Sequence, residues 1–430
     1  MKTFTIILSI MVIAAVGAPI KKAFADTELE ELVQTALQAN PQILARQARA
    51  DASQERIPQA ASLEDPRIGV RATNLPLSDF GLGNTPMSGI DFSLAQKVPF
   101  PGKLKYRKGA EQAESEAVKA VLQEVRNQVR FKVSQAYYEL YRIDKEIHVV
   151  RENRALLRSL ANTAEARYTT GASKGPDVFR AQTFTSELDN ILLALEQERS
   201  SAAIQLNTLL NAPAETPRRL KYRFKVKKPP SEQAWQDAIK DRPLIKAFSH
   251  QVDAADQRIR LAKRDYWPDF DFSVSYRLRE SSPGDPVNGS DFISGGVTLN
   301  LPLWAHWRET RKVKENVAHK IAAEQSYQSV QNESTYEAMD AYRRIVRQYR
   351  QVGIFNSRLL PQSRATYATS LTGYESEQVD FFSTIEALKE KHEMELAYYE
   401  IKASYQISQA RLKWVLGQAS MNTMTQEVSQ

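Results

Sequence analysis

Between Lys103 and Thr170 the apolar residues Val118, Leu122, Val125, Val129, Val133, Ala136, Leu140, Ile143, Ile147 and Val150 recur at steps of three and four. That is the period of a coiled-coil seam. The stretch contains a single glycine and no proline, so it predicts one uninterrupted helix of about 100 Å at ~1.5 Å per residue. Such a rod cannot fold around a core of its own and needs antiparallel partners. The polar, glycine-bearing turn from Thr169 to Pro176 sends the chain back into a return helix over 177–211, which Asn211 and Pro213 end.

Elsewhere the period drops to two. From Asp269 to Glu280, Phe270, Phe272, Val274, Tyr276 and Leu278 alternate with Asp271, Ser273, Ser275, Arg277 and Arg279, giving a strand with one apolar and one polar face. After the polar loop Ser281–Pro286, Val297, Leu299 and Leu301 alternate with Thr298 and Asn300, so the pair reads as a hairpin. A weaker hairpin precedes the first rod, with Ile68, Val70 and Ala72 going out, a loop over 75–88, and Ile90, Phe92 and Leu94 returning. Proline corners follow both hairpins, Pro99-Phe100-Pro101-Gly102 and Pro302-Leu303-Trp304.

The whole plan occurs twice. Asn40-Pro41 is echoed by Arg242-Pro243, Asp65-Pro66 by Trp267-Pro268, and Thr170-Gly171 by Thr372-Gly373, all at one constant offset. Val98-Pro99 against Leu301-Pro302, and Asp177-Val178-Phe179 against Asp380-Phe381-Phe382, follow one residue further on. Each copy opens on a helical stretch, Leu29 to Ala61 and Glu232 to Arg264. The predicted organisation is a leader over 1–25 and a first repeat over 26–215, with its hairpin at about 67–96, long helix 103–170 and return helix 177–211. A basic connector spans 216–230. The second repeat spans 231–418, with its hairpin at about 269–301, long helix 307–371 and return helix 377–416, and 419–430 is a polar tail. In the second long helix Gly353 and Pro361 predict a kink or break that the first lacks.

Composition narrows the class. With 430 residues, 42% of them apolar and 25% charged, there is ample core material, so disorder is excluded. Only 16 glycines and a mean hydropathy of −0.47 argue against a glycine-rich fibre and against a bundle of membrane helices. The absence of cysteine removes disulfides, thiolate metal sites, a thiol nucleophile and a lipidated N-terminal cysteine. Lys2, the apolar run Phe4 to Val16, and Ala23-Phe24-Ala25 before Asp26 form an export signal. Its removal takes away Lys2, Lys21 and Lys22 and brings the net charge down from +7, which makes nucleic acid a poor partner.

Strands of nine to twelve residues with one apolar face suit a bilayer, where a tilted strand needs ~9–11 residues. Lipid tolerates strands only in a closed barrel. Four strands cannot close one, whereas three chains of four would make a twelve-stranded barrel. The rods, with apolar seams facing outward, impose the same symmetry. Small soluble hairpins on an elongated coiled-coil protein are the alternative.

Leader, helix, hairpin, proline corner, very long helix, Thr-Thr-Gly turn and return helix, run twice, resemble the TolC family of outer-membrane efflux proteins. The most specific pieces are Gln96-Lys97-Val98-Pro99-Phe100-Pro101-Gly102-Lys103, and Tyr168-Thr169-Thr170-Gly171 ahead of Asp177-Val178-Phe179-Arg180-Ala181-Gln182. The resemblance implies a mainly α fold with a membrane β part: a two-repeat protomer in a homotrimer, whose twelve-stranded barrel sits on an α-helical barrel. It implies a passive exit duct of a tripartite efflux or type I secretion system. The duct lies in the outer membrane of a Gram-negative bacterium, projects into the periplasm and is not lipidated. Its partners would be outer-membrane lipid, a periplasmic adaptor and an inner-membrane pump, the RND type first. The rival class is a structural envelope protein or adaptor-like binding module without a pore.

Carried over residue by residue, the resemblance makes Thr170, Gly171, Thr372 and Gly373 adaptor-contacting tips. Asp177, Arg180, Asp380 and Ser383 become the entrance. The family often has a second aspartate where Ser383 stands, so a pure aspartate ring is not expected here. Asp177 and Asp380 also fit first-turn positions stabilised by the helix dipole. Phe92, Leu94, Phe270, Phe272, Val274, Tyr276, Val297 and Leu299 are expected to face lipid, and Pro99, Pro101, Gly102 and Pro302 to make the strand-to-helix corners. Asn74-Leu75-Pro76, Pro86-Met87 and the first proline corner resemble the heavy-metal and copper branch, although seven scattered methionines form no soft-ligand cluster.

Chemistry finds no foothold. His148, His250, His306, His319 and His392 lack metal-ligand spacing, and Phe100-Pro101-Gly102-Lys103 lacks the rest of a phosphate loop. No enzyme, cofactor or metal is expected. Between the copies Pro217 to Lys228 holds seven basic residues, with Leu220, Tyr222, Phe224 and Val226 alternating among them. Such a run fits an anionic lipid or cell-wall polymer, or an extended connector with one edge docked and the other in water.

Overall fold

The computed structural model describes residues 27–77, 80–171 and 175–417; the expected leader and tail lie outside them. Each copy starts with two helices where the sequence predicted one. In the first copy these are α1 (Thr27–Ala39) and α2 (Pro41–Ala61). Asn40 between them is extended, at φ −68° and ψ 121°, and its side chain accepts from the Gln42 N–H at 2.9 Å. The second copy has α5 (Glu232–Ala238), a 3₁₀ turn (Ile239–Asp241), and α6 (Pro243–Arg264) after an extended Arg242. Proline pushes its preceding residue out of the helical region and is at home at the first helical position. The Asn40-Pro41 and Arg242-Pro243 echo therefore marks a break inside each opening stretch.

α3 (Lys103–Thr169) is unbroken, and α4 (Gly175–Leu209) returns beside it. Leu122, Val129, Val133, Ala136, Leu140, Ile143 and Ile147 of the predicted seam are buried in a core with α1, α2 and α4, and Val118 and Val125 pack against its edge. Val150 belongs to a second core formed lower down with α4, α8 (Leu360–Glu375) and α9 (Phe381–Val415). A third core, centred on Trp235, Ile345, Tyr405 and Leu412, joins α5, α6, α7 (Arg308–Ile354) and α9.

The interruption expected at Gly353 and Pro361 takes a different form. α7 runs through a π turn, Phe355–Leu359, straight into α8. The Leu360 N–H donates to the Phe355 carbonyl, five residues back. One residue of extra winding absorbs the missing N–H of Pro361, so the ladder is displaced and not cut.

All four strands form one antiparallel sheet, β1 (Arg67–Thr73), β2 (Gly89–Val98), β3 (Phe270–Leu278) and β4 (Phe292–Leu299), in chain order. β2 pairs with β3 across the two copies, with Phe92 opposite Tyr276 and Leu94 opposite Val274. The outer edges of β1 and β4 have no partner among the described residues.

Candidate functional site

Register sorts the sheet into two faces. Ile68 and Val70 lie opposite Leu94 and Phe92, which lie opposite Val274 and Tyr276; Phe272 and Phe270 then lie opposite Val297 and Leu299. All eight residues expected to face lipid therefore share one face, and Phe92, Phe272, Val274, Tyr276, Val297 and Leu299 are exposed on it. The other face carries Arg67 paired with Asp271, and Arg277 gripping Asp91 at 2.6 and 2.9 Å, with the Thr73 hydroxyl on the same carboxylate at 2.6 Å. The Arg277–Asp91 pair places opposite charges directly across neighbouring strands, and the Arg67–Asp271 pair spans β2 from β1 to β3. Nine residues of β3 extend about 30 Å, and at the usual tilt they match an apolar band of ~25 Å.

At the base of the sheet, Gly102 takes φ 97° as the N-cap of α3, where a side chain would be strained. Pro99 and Pro101 flank Phe100, whose ring stacks on Trp267 at 5.0 Å. The Lys103 ammonium, almost fully buried, reaches Asp269 at 2.7 Å and the Trp267 carbonyl at 3.0 Å, while the Phe100 N–H donates to Asp269 at 2.9 Å. Burial alone would raise the Asp269 carboxyl, but Lys103 and the Phe100 N–H hold it below the usual range. Asn300 completes the joint by accepting from the Asp269 N–H at 2.6 Å. This lock fixes the direction in which α3 leaves the strands. On the second side Pro302 begins a looser turn, with Leu303, Trp304 and Trp307 exposed.

At the far end of the rods the two tips differ. Thr170 caps α3, and Gly171 sits at φ 79° with open space around it, as a chain-reversing glycine should. Gly373 does not do the same job. It is buried inside α8, where an added Cβ would come within 2.5 Å of the Val379 side chain, and the left-handed residue is Glu377 at φ 64°. α8 thus overruns its echo by about one turn, and of the second pair only Thr372 is exposed. Gly373 contributes close packing, which corrects its assignment as a tip residue.

Asp380 is the N-cap of α9: its Oδ1 accepts from the Ser383 N–H and its Oδ2 from the Ser383 hydroxyl, both at 2.9 Å. The Ser383 backbone N–H first, and its hydroxyl second, lower the Asp380 pKa. Ser383 is therefore the partner of a capping carboxylate. Asp177 stands in the first turn of α4. The Arg180 guanidinium lies 5.0 Å from the Phe382 ring centre, so Arg180, expected at the entrance, meets the first turn of α9 in the other copy through a cation–π contact.

Sequence reasoning missed a second bridge between the tips. Arg167 of α3 donates to the carbonyls of Tyr374 at 2.8 Å and Glu375 at 2.7 Å, and stacks 4.7 Å from the Tyr374 ring. It caps the C-terminus of a helix from the other copy. Only the basic residue in the last turn of α3 hinted at it.

Higher up, Arg364 and Lys391 hold Glu395 at 2.9 and 3.1 Å, with Asn153 beside them. His392 is buried next to this knot with neither ring nitrogen hydrogen-bonded. Burial lowers its pKa; Glu395 opposes the shift and Lys391 adds to it. The unfolded chain takes up this proton near the ordinary value of 6.5 and the folded chain does so only at lower pH, so the stability is present in full above that value and is lost as pH falls. We expect the urea midpoint to drop between about pH 7 and about pH 5, and His392→Leu to flatten this slope. A wild-type midpoint constant over that range would refute the assignment. The other histidines are exposed or half-exposed; His148, His250 and His319 sit beside Glu152, Asp253 and Glu315 of their own helices, and His306 packs on Trp307. Among the described residues no three acidic or histidine side chains form a metal cluster, and no helix is long and apolar enough to cross a membrane.

The sequence profile of the family described as outer membrane efflux protein matches in two places, residues 32–212 and 234–418, one for each copy. The outer membrane protein TolC of Vibrio cholerae is 24% identical over 360 residues, covering 80% of this chain and 77% of that protein. Among solved structures, the outer-membrane channel OprN superposes with a TM-score of 0.78 at 19% identity, covering 92% of this chain and 91% of its own. CusC gives 0.79 at 16% identity, covering 91% and 92%. VceC of Vibrio cholerae gives 0.76 at 17%, covering 91% and 96%.

Proposed function

This chain belongs to the outer membrane efflux protein family and forms an outer-membrane exit duct of efflux systems; we propose that three copies unite to do so. The observation that carries the trimer is the sheet. It has one apolar face, one ion-paired face, and two edges, on β1 and β4, that are unpaired among the described residues. In lipid those edges must be closed by like edges, and three sheets of four give a barrel wide enough to leave a polar lumen. Phe92, Leu94, Phe270, Phe272, Val274, Tyr276, Val297 and Leu299 then face lipid, while Arg277, Asp91, Arg67 and Asp271 face the lumen.

The rods carry the duct through the periplasm. In this reading Thr170, Gly171 and Thr372 meet a periplasmic adaptor, and Asp177, Arg180, Asp380 and Ser383 surround the entrance. An inner-membrane pump supplies the energy, with the RND type first among candidates, and the chain performs no bond chemistry and needs no cofactor. Cargo is decided by the pump, because a wide polar lumen selects little. Purified protein in planar bilayers should give stable single-channel currents, and native mass spectrometry should show trimers. Monomers that conduct, or trimers that do not, would overturn this reading.

The entrance makes a separate prediction. Asparagine caps a helix about as well as aspartate, so Asp380→Asn removes charge and keeps the cap. Its melting should match wild type within ~0.5 kcal/mol, while Asp380→Ala loses ~1 kcal/mol of tip stability. Three acidic groups around one opening concentrate cations, so Asp380→Asn should lower cation conductance at low salt. Currents identical to wild type would leave Asp380 as a cap alone.

A further inference from the structure

The connector between the copies is pinned to the rods through its backbone. Tyr137 donates to the Lys221 carbonyl at 3.4 Å, Tyr405 to that of Lys227, Gln406 to that of Lys225 at 3.4 Å, and Tyr342 to that of Pro230 at 3.2 Å. Its inward side chains are half-buried: Tyr222 and Phe224 pack edge-on against Tyr141 at 5.2 and 4.7 Å, and the Tyr222 hydroxyl donates to Asp144 at 2.6 Å. Having touched α3, α9 and α7 in turn, the segment lies across the helices, wrapped around the rods.

An extended chain docked by every second residue turns the others outward. Those are Arg219, Lys221, Arg223, Lys225 and Lys227; Lys228 follows at the end of the run, outside the alternation, and all six are exposed. None has an ion-pair partner among the described residues. Glu28 and Glu31 line one cavity with Arg219 at the start of the stripe, yet neither forms an ion pair with it, and Glu28 accepts instead from the Lys221 backbone N–H at 2.6 Å. Behind the stripe, Lys402 stands 5.5 Å from the Phe224 ring and Lys145 5.9 Å from that of Tyr399, neither paired with a carboxylate. The stripe is therefore a preformed row of cations, about 30 Å long with a charge every ~6.6 Å, and from Lys221 to Lys228 no side chain of it is paired with a carboxylate among the described residues.

Its height decides what it can meet. Tyr137 and Tyr141 lie about 50–60 Å along α3 from the end of the strands, whereas charge attraction fades over ~8 Å in physiological salt. Lipid headgroups are out of range, and so are the tips, some 40 Å further on. We propose that the stripe is a docking track for a carboxylate-bearing polymer of the periplasm, the peptide-substituted glycan mesh of the cell wall. Several carboxylates spaced along one strand can engage successive cations, and a rigid track loses little entropy on binding. Such a track would hold the duct at a fixed place in the mesh it crosses.

The test is co-sedimentation of the full-length protein in detergent with isolated cell-wall sacculi. In one variant all six become glutamine: Arg219→Gln, Lys221→Gln, Arg223→Gln, Lys225→Gln, Lys227→Gln and Lys228→Gln. In a second, the two arginines become lysine. We expect the glutamine variant to lose binding at least ~tenfold, the charge-keeping variant to retain it, and sacculi with amidated carboxyls to bind neither. Channel currents should be unchanged in both, because none of the six side chains forms an ion pair among the described residues. Undiminished sedimentation of the glutamine variant would overturn the proposal, as would equal binding to anionic phospholipid vesicles, which would assign the stripe to lipid. Loss of currents from the wild type would count against the duct and not against the track.

Discussion

Arg242→Ala is expected to lower the unfolding free energy by about 3–5 kcal/mol, the range found when one partner of a buried charged network is deleted. Arg242 has almost no exposure. Its guanidinium reaches Glu124 of α3 at 3.0 Å, Ser334 at 2.9 Å and Glu337 at 2.8 Å on α7, and lies 5.7 Å from the ring of Trp414 on α9. The Trp414 indole N–H donates to the same Glu124 oxygen at 3.0 Å, and the other oxygen of Glu124 has no partner. Among the described residues, removing the guanidinium leaves Glu124 with one indole and Glu337 with Arg411, 3.8 Å away. The cost is the stranding of two carboxylates more than the loss of an attraction, so Glu124→Gln added to Arg242→Ala should recover part of it. Equilibrium unfolding of all three proteins checks both steps. A loss below ~1 kcal/mol for the single variant would mean that water replaces the guanidinium at no great cost.

The position of Arg242 shows why much of the architecture was legible and this knot was not. The proline that follows it is visible in the sequence, and so is the echo in Asn40-Pro41. In the first copy the equivalent side chain ties the break to the end of its own return helix, Asn40 donating to the Leu209 carbonyl at 2.9 Å. In the second copy Gly417 fills the corresponding place, so close to Pro243 that a Cβ would come within 2.9 Å of its ring. The repeat thus carried the geometry, and the substitution of arginine for asparagine freed the side chain to bind three other helices. No local pattern encodes such long-range contacts.

The same division runs through the rest of the chain. The seam of α3 was readable because each position repeats a local period, and the hairpins because alternation and breakers are local too. Pairing of β2 with β3, Arg167 on the carbonyls of α8, and Arg180 on Phe382 join residues from different copies, and spacing within one copy is blind to them. Thr372-Gly373 misled for a related reason: the dipeptide matches Thr170-Gly171, but the close approach of Val379 uses the glycine for packing and moves the reversal to Glu377. In the π turn, Gly353 and Pro361 announced the place of the irregularity and left its form to the helix-to-helix packing around Phe355.

Val274→Arg should separate a lipid-facing sheet from one that merely rests in water. Val274 is the middle residue of β3, opposite Leu94 on one side and Gly295 on the other, with Phe92, Phe272 and Tyr276 around it on the same face. An arginine facing the middle of the bilayer from a barrel costs ~2–4 kcal/mol, while one facing the lumen costs little. Ser275, its neighbour, points to the face that holds Arg277 and Asp91, so Ser275→Arg is the matched control. Refolding into lipid vesicles at graded urea, followed by the shift in gel migration between heated and unheated samples, gives the folded fraction of each. In the proposed trimer each barrel carries the substitution three times, and the loss for Val274→Arg should be correspondingly steep. If both variants fold equally well, the apolar face does not meet lipid, the open edges of β1 and β4 need no closure by other copies, and the argument for a trimeric barrel loses its basis.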